Sequence, residues 1–127
     1  MFSFRRFLAA LALLLSFGAA QALEIRPYSA EALKSAQQAG APVALHFHAD
    51  WCPTCRAQQK VFEQFAAAKS PALTLLVVNY DDERALKREL KVRTQSTLIV
   101  YRGAQETKRL AGDTDAAVLR AALQSAL

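Results

Sequence analysis

The sequence predicts an α/β fold, a mixed β-sheet flanked by helices on both faces in the order β-α-β-α-β-α-β-β-α. Three observations predict it. Short apolar runs alternate along the chain with segments that carry an apolar stripe at helical spacing. The run Ala72 to Tyr80 (A-L-T-L-L-V-V-N-Y) is almost continuously apolar, the mark of a central strand buried on both faces. Near the C-terminus two strand-like runs are separated by little more than Gly103-Ala104, a hairpin turn, so one pair is antiparallel.

The elements follow in order. Ile25 to Tyr28 reads as a short edge strand, with Pro27 limiting its pairing. Ser29 caps a helix running to about Ala39, and Gly40-Ala41-Pro42 stops it. Val43 to Ala49 is a strand, apolar on one face with His46 and His48 on the other. A helix from Pro53 to about Lys69 places Val61, Phe62 and Phe65 on its inner stripe. The central strand comes next, then a short charged helix from Asp82 to Leu90. Thr97 to Tyr101 and Glu106 to Ala111 form the hairpin. Gly112-Asp113-Thr114 caps a last helix, Asp115 to about Ala126, with Val118, Leu119 and Leu123 facing in.

Not all of the 127 residues belong to this fold. Arg5 and Arg6 precede an uncharged apolar run, Phe7 to Ala20, followed by Ala20-Gln21-Ala22. A basic start, a short apolar run and a small-x-small site read as a secretory signal over residues 1–22. A membrane anchor is the other reading, but the run is shorter than the roughly 18–20 apolar residues that span a bilayer. One domain, residues 23–127, is then left, long enough for a core without several disulfide staples. Loss of Arg5 and Arg6 lowers the net charge from +5 to +3. That charge is too mild, and too evenly mixed with acids, to point to nucleic acid.

Both cysteines of the chain lie in "HADWCPTCRAQQ", two residues apart. An exported protein can hold a structural disulfide. A C-x-x-C loop is so short, however, that closing it removes little entropy from the unfolded chain. The spacing favours redox chemistry over a staple or a metal clip.

The W-C-x-x-C string at a strand-to-helix junction, within this order of elements, resembles the thioredoxin family, and from Val43 onward the chain can be laid on a thioredoxin without a gap. The "CPTCR" string is similar to the thioredoxin-like reductants of bacterial cytochrome c maturation, although the chain has neither their insertion nor their longer N-terminal part. The resemblance implies a thioredoxin-like fold and a dithiol–disulfide couple of Cys52 and Cys55. Four positions depart from the family: Ser96 stands where the family has its cis-proline, His46 replaces the buried carboxylate, Val77 replaces the lysine near that carboxylate, and Lys60 replaces the proline that kinks the active-site helix. A cis peptide before a non-proline residue costs about 3 kcal/mol, so the Gln95–Ser96 bond is expected to be trans.

Cys52 is expected at the N-terminus of the helix that opens with Pro53, where free amides and the helix dipole favour a thiolate. It is the expected nucleophile, and Cys55, one turn inward, the resolving thiol. The amides of Thr54 and Cys55 point at the Cys52 sulfur. By resemblance His46 lies beneath the pair, either as a proton acceptor for Cys55 or as a core histidine bonded to backbone. His48 replaces a bulky aromatic of the family and reads as packing. Trp51, Pro53, Thr54, Gln95 and Ser96 are expected to form the substrate surface.

The function expected is a periplasmic thiol–disulfide oxidoreductase that reduces protein disulfides, with a membrane thiol relay to recharge it. It would work as a monomer, without a cofactor. A dithiol oxidase is the alternative. A copper- or zinc-handling protein using Cys52, Cys55 and a histidine is a further one, with incomplete ligation against it. A non-catalytic binding module is disfavoured because both cysteines are present.

Overall fold

The computed structural model describes residues 22–127. The expected signal segment thus lies, apart from Ala22, outside the described residues.

The elements are β1 (Glu24–Pro27), α1 (Ala30–Gln38), β2 (Pro42–His48), α2 (Pro53–Ala67), β3 (Thr74–Asn79), α3 (Arg84–Glu89), β4 (Thr97–Arg102), β5 (Gln105–Ala111) and α4 (Ala116–Gln124). They form one five-stranded sheet in the order β1-β3-β2-β4-β5. The strands β1, β3 and β2 are parallel. The antiparallel half is β4, on β2, and β5, on β4. This is the thioredoxin-like, mixed, helix-flanked sheet that the sequence predicts.

The register explains why β2 carries the site. With β3 on one side and β4 on the other, β2 places His46 opposite both Val77 and Leu98. Val43, Ala44, Leu45, His46 and Phe47 are all fully buried. Side chains alternate across a strand. Val43, Leu45 and Phe47 therefore pack on one face, with α1 and α3. Ala44 lies on the other, among Phe62 and Phe65 of α2 and Leu119 and Leu123 of α4. Burying Phe47 or Phe62 contributes roughly 1.5–3 kcal/mol each.

Local chemistry sets the boundaries. Ser29 caps α1, its Oγ accepting from the Ala32 amide at 3.0 Å. Gly40 takes φ +65° after that helix. Gly103 has φ +59° at the β4–β5 turn, where an added Cβ would lie 3.2 Å from the Gly40 Cα. The helix α2 ends at Ala67, earlier than expected, and Lys69 has φ +57° just after it. The helix α3 is also shorter than expected, because the Asn79 side chain accepts from the amides of Asp81 and Asp82 and holds them in a turn.

Two expectations at α4 are corrected. Its cap is Asp115 itself, whose carboxylate accepts from the Val118 amide at 3.0 Å, rather than the preceding Gly112-Asp113-Thr114. Val118 does not face in but is 40% exposed. The buried stripe is Leu119, Ala122 and Leu123, and Val118 lies about 100° around the helix from Leu119.

Candidate active site

The strand β2 ends at His48, and the chain turns through Ala49, Asp50 and Trp51 into α2. The Cys52 amide donates to the Ala49 carbonyl at 3.1 Å, which closes this turn. Cys52 is the N-cap of α2 and Pro53 its first residue. The Cys55 amide donates to Cys52 Sγ at 3.1 Å. A sulfur thus takes the place that Ser or Asp usually holds at a helix start. Both cysteines are free thiols and both are buried.

The two sulfurs differ in their protons. Burial works against the Cys52 thiolate, but hydrogen bonds from the Cys55 thiol, the Ser96 hydroxyl and the amides of Cys55 and Thr54 outweigh it and draw its pKa down. Burial and hydrogen bonding to Cys52 push the Cys55 thiol up, partly offset by Ser96. Thiolate character is therefore concentrated on Cys52, and the proton on Cys55.

Ser96 closes the site from the β4 side. Its Oγ lies 3.3 Å from Cys52 Sγ and 3.0 Å from Cys55 Sγ. The Gln95–Ser96 peptide is trans, since Ser70–Pro71 is the only cis bond among the described residues. The residue has φ +64°, a left-handed conformation that strains a non-glycine residue by about 1–2 kcal/mol. Hydrogen bonds at both ends hold it there. Its amide donates to the Phe47 carbonyl at 2.9 Å. Its carbonyl accepts from Gly112 N at 3.1 Å and from Gln58 Nε2 at 3.0 Å.

Gln58 escaped the sequence reading, yet it ties the site together. Fully buried on α2, it donates through Nε2 to the carbonyls of Ser96 and Asp113. Two carbonyl acceptors fix which end of the amide is nitrogen. Gln58 Oε1 therefore faces His46 Nε2 at 2.9 Å and takes its proton as an acceptor. The His46 tautomer follows, with Nε2 protonated and Nδ1 a buried lone pair without a partner. Burial is the main force that lowers the His46 pKa to about 4, against the Gln58 hydrogen bond that raises it. The ring is neutral at pH 7, packs edge-on to Phe62 at 4.9 Å between centroids, and is bonded to Gln58 rather than to either sulfur. The signal for Gln58 was its spacing: Cys55, Gln58, Phe62 and Phe65 form one buried stripe, and an amide among apolar residues needs a buried partner.

The remaining predicted residues surround the entrance. Trp51 is 58% exposed and held by its Nε1, which donates to Asp81 Oδ2 at 2.8 Å. Pro53 is exposed and Thr54 half-buried on the first turn of α2. Gln95 is half-buried beside Ser96, its Oε1 accepting from Thr94 Oγ1 at 3.3 Å. His48 Nε2 lies 2.9 Å from Asp50 Oδ1, at the rim of a groove of about 490 Å³ that also borders Trp51, Val77 and Asp81. Among the described residues no three His, Cys, Asp or Glu side chains group closely enough to hold a metal ion.

A thiol at a helix start whose pKa is drawn down by hydrogen bonds, with a protonated thiol one turn inside, is the arrangement that dithiol–disulfide exchange needs. The comparisons with known proteins give the family. The thioredoxin family model matches residues 26–125, so the chain belongs to the thioredoxin family and is a thiol–disulfide oxidoreductase. A thioredoxin of Alicyclobacillus acidocaldarius is 32% identical over 79 residues, which cover 62% of this chain and 75% of the relative. One from Mycolicibacterium smegmatis is 33% identical over 68% of this chain and 79% of its own length. The crystal structure of Trxlp from Edwardsiella tarda has a TM-score of 0.72 and 39% identity, covering 79% of this chain and 98% of that one. A mutant thioredoxin of Halobacterium salinarum superposes with a TM-score of 0.68 at 22% identity, covering 82% of this chain and 89% of its own, and likewise has the fold. Thioredoxins act on protein thiols and disulfides, so the substrate class is a protein thiol or disulfide.

Proposed function

We propose that this thioredoxin-family protein works in the periplasm as a reductant of protein disulfides, as a monomer recharged by a membrane thiol relay. In this reading the thiolate of Cys52 attacks the substrate disulfide, and Cys55 then attacks Cys52 and releases the substrate reduced. The observation that carries the chemistry is the asymmetry of the pair. The Cys52 sulfur accepts hydrogen bonds at the start of α2, whereas the Cys55 thiol is fully buried and keeps its proton.

Location and direction rest on sequence features. The basic start, short apolar run and Ala20-Gln21-Ala22 site support export. The CPTC string supports the reducing direction and a role in cytochrome c maturation or a related pathway. A reductant in an oxidising compartment needs an electron source, which the membrane relay would supply.

The reduction potential tests the direction. A value near that of thioredoxins, about −270 mV, supports a reductant; one near the strong periplasmic oxidants, about −120 mV, assigns a dithiol oxidase. One observation favours that second reading: the Ser96 hydroxyl adds a hydrogen bond to the Cys52 sulfur, and stabilising the reduced form makes a couple more oxidising. Fractionation of cells carrying the full chain, with N-terminal sequencing of the product, tests export. A product starting near Leu23 in the periplasmic fraction is expected, and an uncleaved chain in the cytoplasm would refute it.

A further inference from the structure

The exchange reaction leaves one proton without an evident carrier. After Cys52 has formed a mixed disulfide, Cys55 must lose its proton before it can attack, and the departing substrate thiol must gain one. Cys55 is fully buried, so bulk water does not reach it. His46, the nearest candidate by sequence, hydrogen-bonds to neither sulfur, reaches Ser96 only at its carbonyl through Gln58, and is made a weak base by burial, which lowers its pKa to about 4. The other influences on the two thiols come from each other, from Ser96 and from backbone groups.

Ser96 Oγ alone touches both sulfurs by a side-chain hydrogen bond, at 3.0 Å to Cys55 and 3.3 Å to Cys52. A hydroxyl has one proton and two lone pairs. It cannot donate to both sulfurs, but it can accept from one and donate to the other. In the dithiol the Cys55 S–H donates to the Cys52 thiolate. Once Cys52 is bonded to substrate that charged acceptor is gone. The Cys55 S–H then turns to Ser96 Oγ at 3.0 Å, nearer than the Phe47 carbonyl at 3.9 Å, while the Ser96 O–H points to the disulfide at Cys52. The fixed backbone of Ser96, bonded at both its amide and its carbonyl, holds the hydroxyl in this bridge.

We propose that the Ser96 hydroxyl is a catalytic proton relay for the resolving step, passing the Cys55 proton to the departing substrate sulfur. The Cys55 proton moves to Ser96 Oγ as the Ser96 proton moves to the substrate sulfur bonded to Cys52. The electron pair left on Cys55 forms the Cys52–Cys55 bond. The Cys52–substrate S–S bond breaks, and its pair stays on the substrate sulfur, which leaves as a neutral thiol. Cys52 and Cys55 end as a disulfide, the substrate sulfur is reduced, and Ser96 is regenerated as a hydroxyl. The proposal rests on the exchange reaction at Cys52 and Cys55 and is independent of its physiological direction.

The test uses Ser96→Gly, which removes the hydroxyl and suits φ +64°. Mixed disulfides on Cys52 are prepared with glutathione, a leaving thiol that needs a proton, and with thionitrobenzoate, which leaves as a stable anion. Release of each from wild type and Ser96→Gly is followed at pH 7. The relay predicts that Ser96→Gly slows release of glutathione by roughly 100-fold or more and release of thionitrobenzoate much less. It also predicts that heavy water slows glutathione release from the wild type more than thionitrobenzoate release, a measurement that needs no variant. Equal slowing of both leaving groups in Ser96→Gly would make the hydroxyl a structural element only, and unchanged release of glutathione would remove it from the reaction. Formation of the mixed disulfides in both proteins reports that exchange is intact, so failure of the relay is distinguishable from failure of the exchange reaction.

Discussion

The two faces of the sheet carry different burdens. On the face covered by α1 and α3, the buried side chains of β2, β3 and β4 are Val43, Leu45, Phe47, Leu76, Val78 and Ile99, with Tyr101 at the edge and one polar residue, Thr97, at the start of β4, whose hydroxyl donates to the Thr94 carbonyl. On the face covered by α2 and α4, the apolar packing is interrupted by His46 and Gln58, both fully buried. These two form a chain from His46 through Gln58 to the Ser96 carbonyl, and Ser96 touches both sulfurs. The first face stabilises the sheet. The second accepts buried polar groups, His46 bonded through Nε2 and Gln58 through both ends of its amide, with His46 Nδ1 left without a partner, and so fixes one turn against a pair of cysteines. The difference teaches that the reaction site here is positioned by the interior of one layer as much as by the loops around it.

The largest break in the comparison is chemical. Cys52→Ser should lower turnover of a model disulfide by at least about a thousandfold while melting close to the wild type; retained turnover would mean that the exchange does not pass through Cys52. The apolar face should respond oppositely. Phe47→Ala is expected to lower stability by about 3–5 kcal/mol in denaturant titration, with activity per folded molecule largely kept.

The polar face should show a pH dependence that the apolar face lacks. His46 has a pKa lowered from 6.5 to about 4 in the folded protein. The unfolded chain therefore binds a proton that the folded one does not between those values. Stability from the buried neutral ring is fully present above about pH 6.5 and is lost as the pH falls toward 4, by about 3 kcal/mol. Denaturant titrations of wild type and His46→Leu at pH 7 and pH 4.5 measure it. A wild-type decline as small as that of the variant would show that the ring is not held neutral. The smallest effect on stability is expected at the rim. Trp51→Ala should change it by less than about 0.5 kcal/mol, because the ring is mostly exposed, but should raise KM for protein substrates several-fold. An unchanged KM would remove Trp51 from the substrate surface.

Much of this arrangement was legible in the sequence, because it rests on short-range patterns. Strand and helix periods gave the element order, and the C-x-x-C spacing after Trp51 marked the redox pair. The identity of residues 46 and 96 also flagged the two unusual positions. What was not legible depends on contacts across the chain. Ser96 reaches the sulfurs only because its amide is tied to Phe47 on β2 and its carbonyl to Gly112 and Gln58. The direction of the His46 proton follows from the two carbonyls that orient Gln58, one of them at Asp113. The support of Trp51 by Asp81 joins two loops that no periodicity relates. Val118 was misplaced because it adjoins the buried stripe of α4 in sequence but sits on its shoulder in space.

The central claim is that the two cysteines have unequal roles, with Cys52 attacking and Cys55 resolving. Its most direct test is to express Cys55→Ser and Cys52→Ser separately and isolate mixed disulfides by non-reducing electrophoresis and mass spectrometry. Cys55→Ser should accumulate protein partners joined to Cys52, while Cys52→Ser accumulates none. Partners joined to Cys55 in Cys52→Ser, with none in Cys55→Ser, would reverse the assignment of the nucleophile.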